Sequence, residues 1–196
     1  MKTVLGIVGS PRRNGNTHAL VSKILDGARD AGAATDLLLL GDLTVRECDG
    51  CHACWRGRTC PKADDMNGVY PRLSGSELLV LGTPVYWYGP SALMKAFVDR
   101  LVYFNCPANR PLIRGKSAIL AIPFEDNDPQ TAAPVVDFFE RCLQYLEIDL
   151  VGQVLVPGVR DPGDAAARPE CLREAYALGR QSASQTEGGA CSGEGA

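Results

Sequence analysis

The chain lacks any apolar run approaching the roughly 20 residues that a membrane-spanning helix needs; one of its longest is Leu37-Leu38-Leu39-Leu40. It lacks an excess of positive charge, with 20 Lys and Arg against 23 Asp and Glu and a net charge of −3. No basic field therefore draws it to nucleic acid or to an acidic membrane surface. No leader of the secretory kind is expected, since Met1-Lys2-Thr3-Val4 runs straight into a strand pattern. These absences lead us to expect a soluble, cytoplasmic protein. The pattern also lacks an internal repeat and a second domain. Histidine is scarce: His18 reads as structural or solvated, and His52 as a surface neighbour of two cysteines.

What is present suits one α/β domain. The chain has 196 residues, 45% of them apolar and 22% charged, enough to bury a full core. Five apolar runs, at 4–8, 35–40, 78–81, 118–122 and 150–156, read as strands buried on both faces. Helical stripes lie between them. Leu20, Val21, Ile24, Leu25 and Ala28 form one after Thr17. Leu93, Met94, Phe97, Val98 and Leu101 form another, with Pro90 expected in its first turn. Val136, Phe139, Leu143 and Leu146 make a third, and Cys171, Leu172, Ala175 and Leu178 a weaker fourth. Strands alternating with helices imply a parallel sheet covered on both faces.

Residues 48–76 break this rhythm. They read as a functional insertion in place of a plain crossover helix, with a short helical stretch limited by Gly68 and Pro71. From 181 onward Ser, Gly, Ala and Gln dominate, and such a segment cannot offset its ordering entropy. Residues 1–180 are therefore expected to form the domain and 181–196 a disordered tail.

Two loops carry binding chemistry. The first, Gly9-Ser10-Pro11-Arg12-Arg13-Asn14-Gly15-Asn16-Thr17, joins strand one to helix one. Such a junction offers free backbone N–H groups and the positive end of a helix dipole to an anion. Ser10, Asn16 and Thr17 add polar donors, Asn14-Gly15 permits a tight turn, and Arg12 supplies a fork suited to phosphate. Neither a Walker loop nor the GxGxxG fingerprint is present. A plain polar turn with Thr17 as a cap is the alternative, but the carboxyl end of a strand is where open α/β sheets bind ligands. The second loop, Thr83-Pro84-Val85-Tyr86-Trp87-Tyr88-Gly89-Pro90, puts three aromatics after a buried strand, and all three cannot face a core. They suit stacking on a flat ring, an oligomer interface, or both. Pro123-Phe124-Glu125-Asp126 falls near the same crevice by position, with its two acids read as solvated and without a role.

Of the eight cysteines, Cys48, Cys51, Cys54 and Cys60 are clustered, while Cys106, Cys142, Cys171 and Cys191 are scattered singly. A disulfide framework spreads its cysteines, whereas a metal site concentrates them. Three thiolates at two-residue gaps can wrap three irons of a cubane, and a fourth closes it. Gly50 and Gly57 allow tight bends around it. Zinc usually takes two paired knuckles across a longer loop, and a redox disulfide needs only one pair. Iron–sulfur ligation uses all four; zinc and redox thiols stay open. Cys106, Cys142 and Cys171 read as packed or half-buried thiols.

The segments 9–17, 83–89 and 91–100 together resemble the NADPH-dependent FMN reductase family, over roughly residues 1–180. The resemblance implies a flavodoxin-like, doubly wound, five-stranded parallel sheet in the order 2-1-3-4-5, with a cysteine-rich insertion after strand 2. It implies that Ser10, Arg12, Asn14, Asn16 and Thr17 hold the phosphate of FMN, and that Pro84, Val85, Tyr86, Trp87 and Gly89 line its isoalloxazine. The cysteine spacing, with Asp64-Asp65-Met66 after it, is similar to the iron–sulfur flavoprotein branch of that family. That branch implies a [4Fe–4S] cluster on Cys48, Cys51, Cys54 and Cys60, fed by a ferredoxin-like donor and serving a small-molecule acceptor. It also implies a homodimer or homotetramer. The cofactors would carry the redox chemistry and the protein would supply position and tuning; no catalytic acid or base is nominated. Two rivals remain: an NAD(P)H-dependent FMN, quinone or azo-type reductase whose cysteines hold zinc or nothing, and a non-enzymatic redox or metal sensor.

Overall fold

The computed structural model describes residues 1–184. Its main sheet has five parallel strands: β1 (Thr3–Val8), β2 (Ala34–Leu39), β3 (Leu78–Gly82), β4 (Ser117–Pro123) and β5 (Asp149–Val156). Numbered this way, their order is 2-1-3-4-5, as expected. A separate two-stranded hairpin pairs Val85–Tyr86 with Gly89–Pro90. Val8 pairs with Leu39 on one side and Gly82 on the other, and Gly82 pairs with Ala121. The carboxyl ends of the central strands thus finish side by side. The chain leaves β1 for β2 in one direction and returns to β3 in the other, which opens a crevice between β1 and β3.

Alternation along the strands divides the core into two layers. Leu5, Ile7, Leu79, Leu81, Leu120 and Ile122 face one way, against helices α2 (Met66–Ser74), α3 (Ala92–Arg100) and α4 (Ala133–Tyr145). Val4, Val8, Leu78, Val80, Ile119 and Ala121 face the other, against α1 (Asn16–Asp30) and α5 (Pro169–Ser184). β3 is buried at every position, whereas β2 and β5 alternate with exposed residues such as Asp36, Val151 and Gln153. Burial on both faces therefore fails for these two, because each is an edge strand with a neighbour on one side only.

Local expectations shift in four places. Pro90 belongs to the hairpin rather than to the first turn of α3, which starts after the N-cap Ser91. Gly68 and Pro71 lie inside α2 instead of bounding it, since Met66, Val69, Tyr70 and Leu73 bury one continuous face. The segment 48–76 is not replaced wholesale: a crossover helix, α2, exists, and an irregular excursion precedes it with single turns at Leu40–Asp42 and Cys54–Arg56. Finally, α5 runs through Gln181 to Ser184. Its contact with α1 is what holds it: a Cβ on Gly27 would stand 2.0 Å from the Tyr176 carbonyl oxygen, and one on Gly179 1.9 Å from that of Ile24. The rest of the expected tail, 185–196 with Cys191, lies outside the described residues.

Candidate functional site

The crevice is assembled around two buried hydroxyls. The backbone N–H of Gly9 donates to the Gly82 carbonyl at 2.7 Å, joining the ends of β1 and β3. The Ser91 hydroxyl donates to the Gly9 carbonyl and accepts from the Met94 N–H at 3.1 Å, so one side chain caps α3 and ties it to β1. The Ser91 N–H in turn donates to Thr83 Oγ1 at 3.0 Å. A Cβ on Gly9 would lie 2.7 Å from Met94 Cβ, which explains the glycine there. The turn after β1 and the loop after β3 are thereby one rigid unit.

Helix α1 begins at Asn16 behind the N-cap Gly15, with no side-chain cap. Thr17 is inside the first turn and buried, so it is not a cap. The first-turn N–H groups lack intrahelical partners and, with the helix dipole, favour an anion at this end. The adjoining crevice, about 280 Å³, is lined on this side by Ser10, Arg12, Asn16 and Thr17, and across it by Pro84, Val85 and Tyr86. One end is rich in donors, and the other is lined by the apolar and aromatic side chains of Pro84, Val85 and Tyr86. That fits a molecule with an anionic tail and a planar ring, such as FMN.

The remaining expected residues divide. Asn14 is exposed and outside the crevice lining. Asn16 reaches it, but its amide bridges elsewhere: Nδ2 donates to the Asp161 carbonyl at 3.0 Å and Oδ1 accepts from the Ala165 N–H at 3.1 Å. Gly89 sits in the hairpin away from the lining, and Trp87 lines an adjacent open hollow with Tyr88, Phe124 and Glu125. Trp87 and Tyr88 form the hairpin tip with φ of 51° and 60°. These are left-handed values that cost an L-residue about 1–2 kcal/mol each and are normally left to Asn-Gly. Trp87 is 98% exposed.

A third wall combines the loop after β4, expected near the crevice by its position, with a loop after β5 that the sequence reading missed. Phe124 and Glu125 after β4, and Val159, Arg160 and Asp161 after β5, close the crevice. Arg12 Nη1 donates to the Arg160 carbonyl at 2.8 Å, and the Arg160 guanidinium pairs with Glu125 at 3.0 Å. Asp164 accepts from the N–H groups of Arg160 and Asp161, which lower its pKa and set the turn. Position past the carboxyl end of β5 was the available signal.

The second site lies at the other end of α3. Cys48, Cys51, Cys54 and Cys60 all line one cavity with Tyr70, Arg100 and Tyr103. The loop carrying them is closed at its neck. The Asp65 N–H donates to the Thr44 carbonyl at 3.1 Å, the Thr44 N–H to Asp65 Oδ2 at 2.7 Å, and the Arg46 N–H to Asp64 Oδ2 at 3.0 Å. The two ends of the loop are thus pinned side by side. Gly50 and Gly57 adopt φ of 68° and 70°, as expected for the bends, and His52 joins them at 54°. His52 is exposed, edge-on to Trp55.

Within the neck, Arg100 and the Asp64 side chain are buried to 1% and 0% exposure and pair at 2.6 Å. Burial opposes the Asp64 charge, but Arg100 and the backbone N–H groups of Arg46 and Met66 hold its carboxyl below the usual range. Burial pushes the Tyr70 phenol up to about 12, and its ring stacks on Tyr103 with centroids 4.0 Å apart. Burial also raises the Cys54 thiol, with Cys106 and Cys48 nearby adding to the effect. The cavity volume is about 30 Å³, room for roughly two waters. Among the described residues no three His, Cys, Asp or Glu side chains are grouped as a ready ligand shell. As a donor set, four soft thiols around one cavity suit iron–sulfur or zinc rather than a hard cation.

The family described as NADPH-dependent FMN reductase matches residues 2–124. An iron-sulfur flavoprotein of Methanocaldococcus jannaschii is 37% identical over 97 residues, 50% of this chain and 50% of the relative. An iron-sulfur flavoprotein of Archaeoglobus fulgidus is 29% identical over 188 residues, 95% of this chain and 81% of the relative. The match thus spans about half the length of the first and most of the second. Among solved structures, the NAD(P)H:quinone oxidoreductase from Methanothermobacter marburgensis superposes with a TM-score of 0.73 at 19% identity, covering 91% of this chain and 94% of that one. This likeness bears on the fold, which is flavodoxin-like.

Proposed function

Because this chain belongs to the NADPH-dependent FMN reductase family and so to the FMN-dependent oxidoreductases, we propose that it passes electrons between a [4Fe–4S] cluster and FMN. Cys48, Cys51, Cys54 and Cys60 would hold the cluster, and the crevice between the β1 and β3 loops would hold FMN. One observation carries this reading: four cysteines from one loop surround a single cavity. That cavity and the crevice lie at opposite ends of α3, whose Ala92–Arg100 span is about 14 Å long.

When bound, FMN supplies an acceptor of two electrons that releases them singly, and an iron–sulfur cluster supplies one-electron steps. The chain's own residues do the rest. Ser10, Arg12, Thr17 and the first-turn N–H groups of α1 would anchor the phosphate. Pro84, Val85 and Tyr86 would seat one face of the ring, and Trp87 at the strained tip would cover it or meet a second copy. Asn16 would act by fixing the third wall to α1 rather than by touching phosphate. A ferredoxin-like protein or NAD(P)H would donate the electrons, a small molecule would accept them, and the site of action would be the cytoplasm, in a homodimer or homotetramer.

A second reading, an NAD(P)H-dependent FMN or quinone reductase without a cluster, is favoured by the sulfurs' lack of a ready ligand shell. Oxygen-free purification with iron, acid-labile sulfide and FMN assays separates the two. About four irons and four sulfides per chain beside one FMN support the first. Flavin reduced by NADPH in iron-free protein supports the second. Protein that stays colourless in saturating FMN sinks both.

A further inference from the structure

A buried guanidinium is expensive to desolvate, and filling the neck of a loop does not require one. Arg100 nevertheless occupies that neck at 1% exposure. Its Nη1 donates to Asp64 Oδ2 at 2.6 Å and to the Arg46 carbonyl at 3.0 Å, and its Nη2 donates to Asp64 Oδ1 at 3.2 Å. Nη2 also donates to Cys60 Sγ at 3.4 Å. The pair is oriented: the Asp64 carboxylate meets the N–H groups of Arg46 at 3.0 Å and Met66 at 3.2 Å, while the positive end is turned to the thiol cavity. The other cation lining that cavity, Lys62, pairs with Asp49 at 3.2 Å and with Glu47 at 3.9 Å. Arg100 is thus the positive end of a buried, oriented ion pair, with an N–H on one of the four sulfurs.

We propose that Arg100, aimed by Asp64, is a positioning residue of the thiol site that fixes the Cys60 sulfur and raises the reduction potential of an iron–sulfur group held there. The inference rests on the reading that the four cysteines bind a cluster. Hydrogen bonds to cluster sulfurs and nearby charge are among the factors that set such potentials. A one-electron reduction adds one negative charge to the cluster, and the guanidinium favours that form.

The test uses the full-length protein, reconstituted with iron and sulfide without oxygen, as wild type, Arg100→Lys and Arg100→Gln. The cluster midpoint is read by redox titration monitored by electron paramagnetic resonance, and iron, sulfide and the FMN midpoint are measured in parallel. Arg100→Gln is expected to shift the oxidised-to-reduced ratio at a given potential at least tenfold toward oxidised, which is 59 mV for one electron. Arg100→Lys should shift it less, because it keeps the charge but not the two-armed grip on Asp64 and Cys60, and the FMN midpoint should stay put. Should Arg100→Gln fail to fold, the paired change Asp64→Leu with Arg100→Met removes the ion pair without orphaning either partner; it deletes the hydrogen bond to Cys60 and the nearer, positive end of the pair, and should shift the ratio in the same direction by a smaller amount, still more than twofold. A cluster that loads fully with less than a twofold change in that ratio in both backgrounds overturns the role of Arg100 while leaving the cluster reading intact. Wild type that takes up neither iron nor sulfide overturns the cluster reading, and this inference falls with it.

Discussion

Replacing Arg12 with alanine should weaken FMN binding about tenfold and leave riboflavin binding unchanged. One of the five guanidinium N–H donors is committed to the Arg160 carbonyl at 2.8 Å, which fixes the fork at the crevice while leaving its other arm to face a phosphate. A hydrogen bond involving a charged group is worth about 1.5–3 kcal/mol. Arg12 is exposed, so solvent and salt screening put the loss near the lower bound. About 1.5 kcal/mol corresponds to roughly tenfold in Kd. Arg12→Lys keeps the charge but cannot serve both Arg160 and a phosphate, and should lose about threefold on the same scale. Arg160→Ala is the informative contrast: it deletes an exposed ion pair to Glu125 yet keeps the carbonyl that Arg12 uses, so its effect should be small. Fluorescence titration of flavin-free protein, at low salt and again near about 0.5 M salt where the difference should shrink, reads all of these. Equal FMN affinity for wild type and Arg12→Ala, or an equal loss for riboflavin, would refute a phosphate seat at this turn.

Three further outcomes follow from the same geometry. Asp64→Asn orphans the Arg100 guanidinium at the loop neck and should cost about 3–5 kcal/mol by urea denaturation, whereas Asp64→Leu with Arg100→Met should cost much less than that; equal losses would count against a tight ion pair. The Asp64 carboxyl is held below its unfolded value of about 4, so its contribution is complete above that pH and is lost as pH falls through the depressed value. Limited proteolysis within 46–64 should accordingly quicken below about pH 4 before the sheet melts, and Asp64→Asn should abolish that pH dependence. At the hairpin tip, Trp87→Asn with Tyr88→Gly replaces two left-handed aromatics and should raise stability by about 1–3 kcal/mol; a lowered melting temperature would mean that the aromatics pack on something that offsets their strain.

The readable part of this protein was local. Continuous apolar runs located all five sheet strands and helical stripes all four stripe-bearing helices, because each signal is complete within a few neighbouring residues. The candidate crevice turn was readable for a similar reason: Gly9 through Thr17 is contiguous, and so is the cysteine run from Cys48 to Cys60. Where local signals competed with packing, packing prevailed. Pro71 and Gly68 stay inside α2 because its buried face continues past them, and α5 outruns its own weak apolar stripe because glycines let it press on α1.

Sequence alone determined the fold class, and it located the polar turn after β1 and the four clustered cysteines, since each is written in neighbouring residues. Tertiary structure decided which strands are edges, that the Asn16 amide at the crevice is tied to the segment after β5 at Asp161 and Ala165, and that Arg100 reaches a sulfur 40 positions away. Those pairings depend on how the chain closes over long separations, Arg12 to Arg160 being 148 positions. No periodicity encodes such a meeting; it exists only once the helices have packed on the sheet.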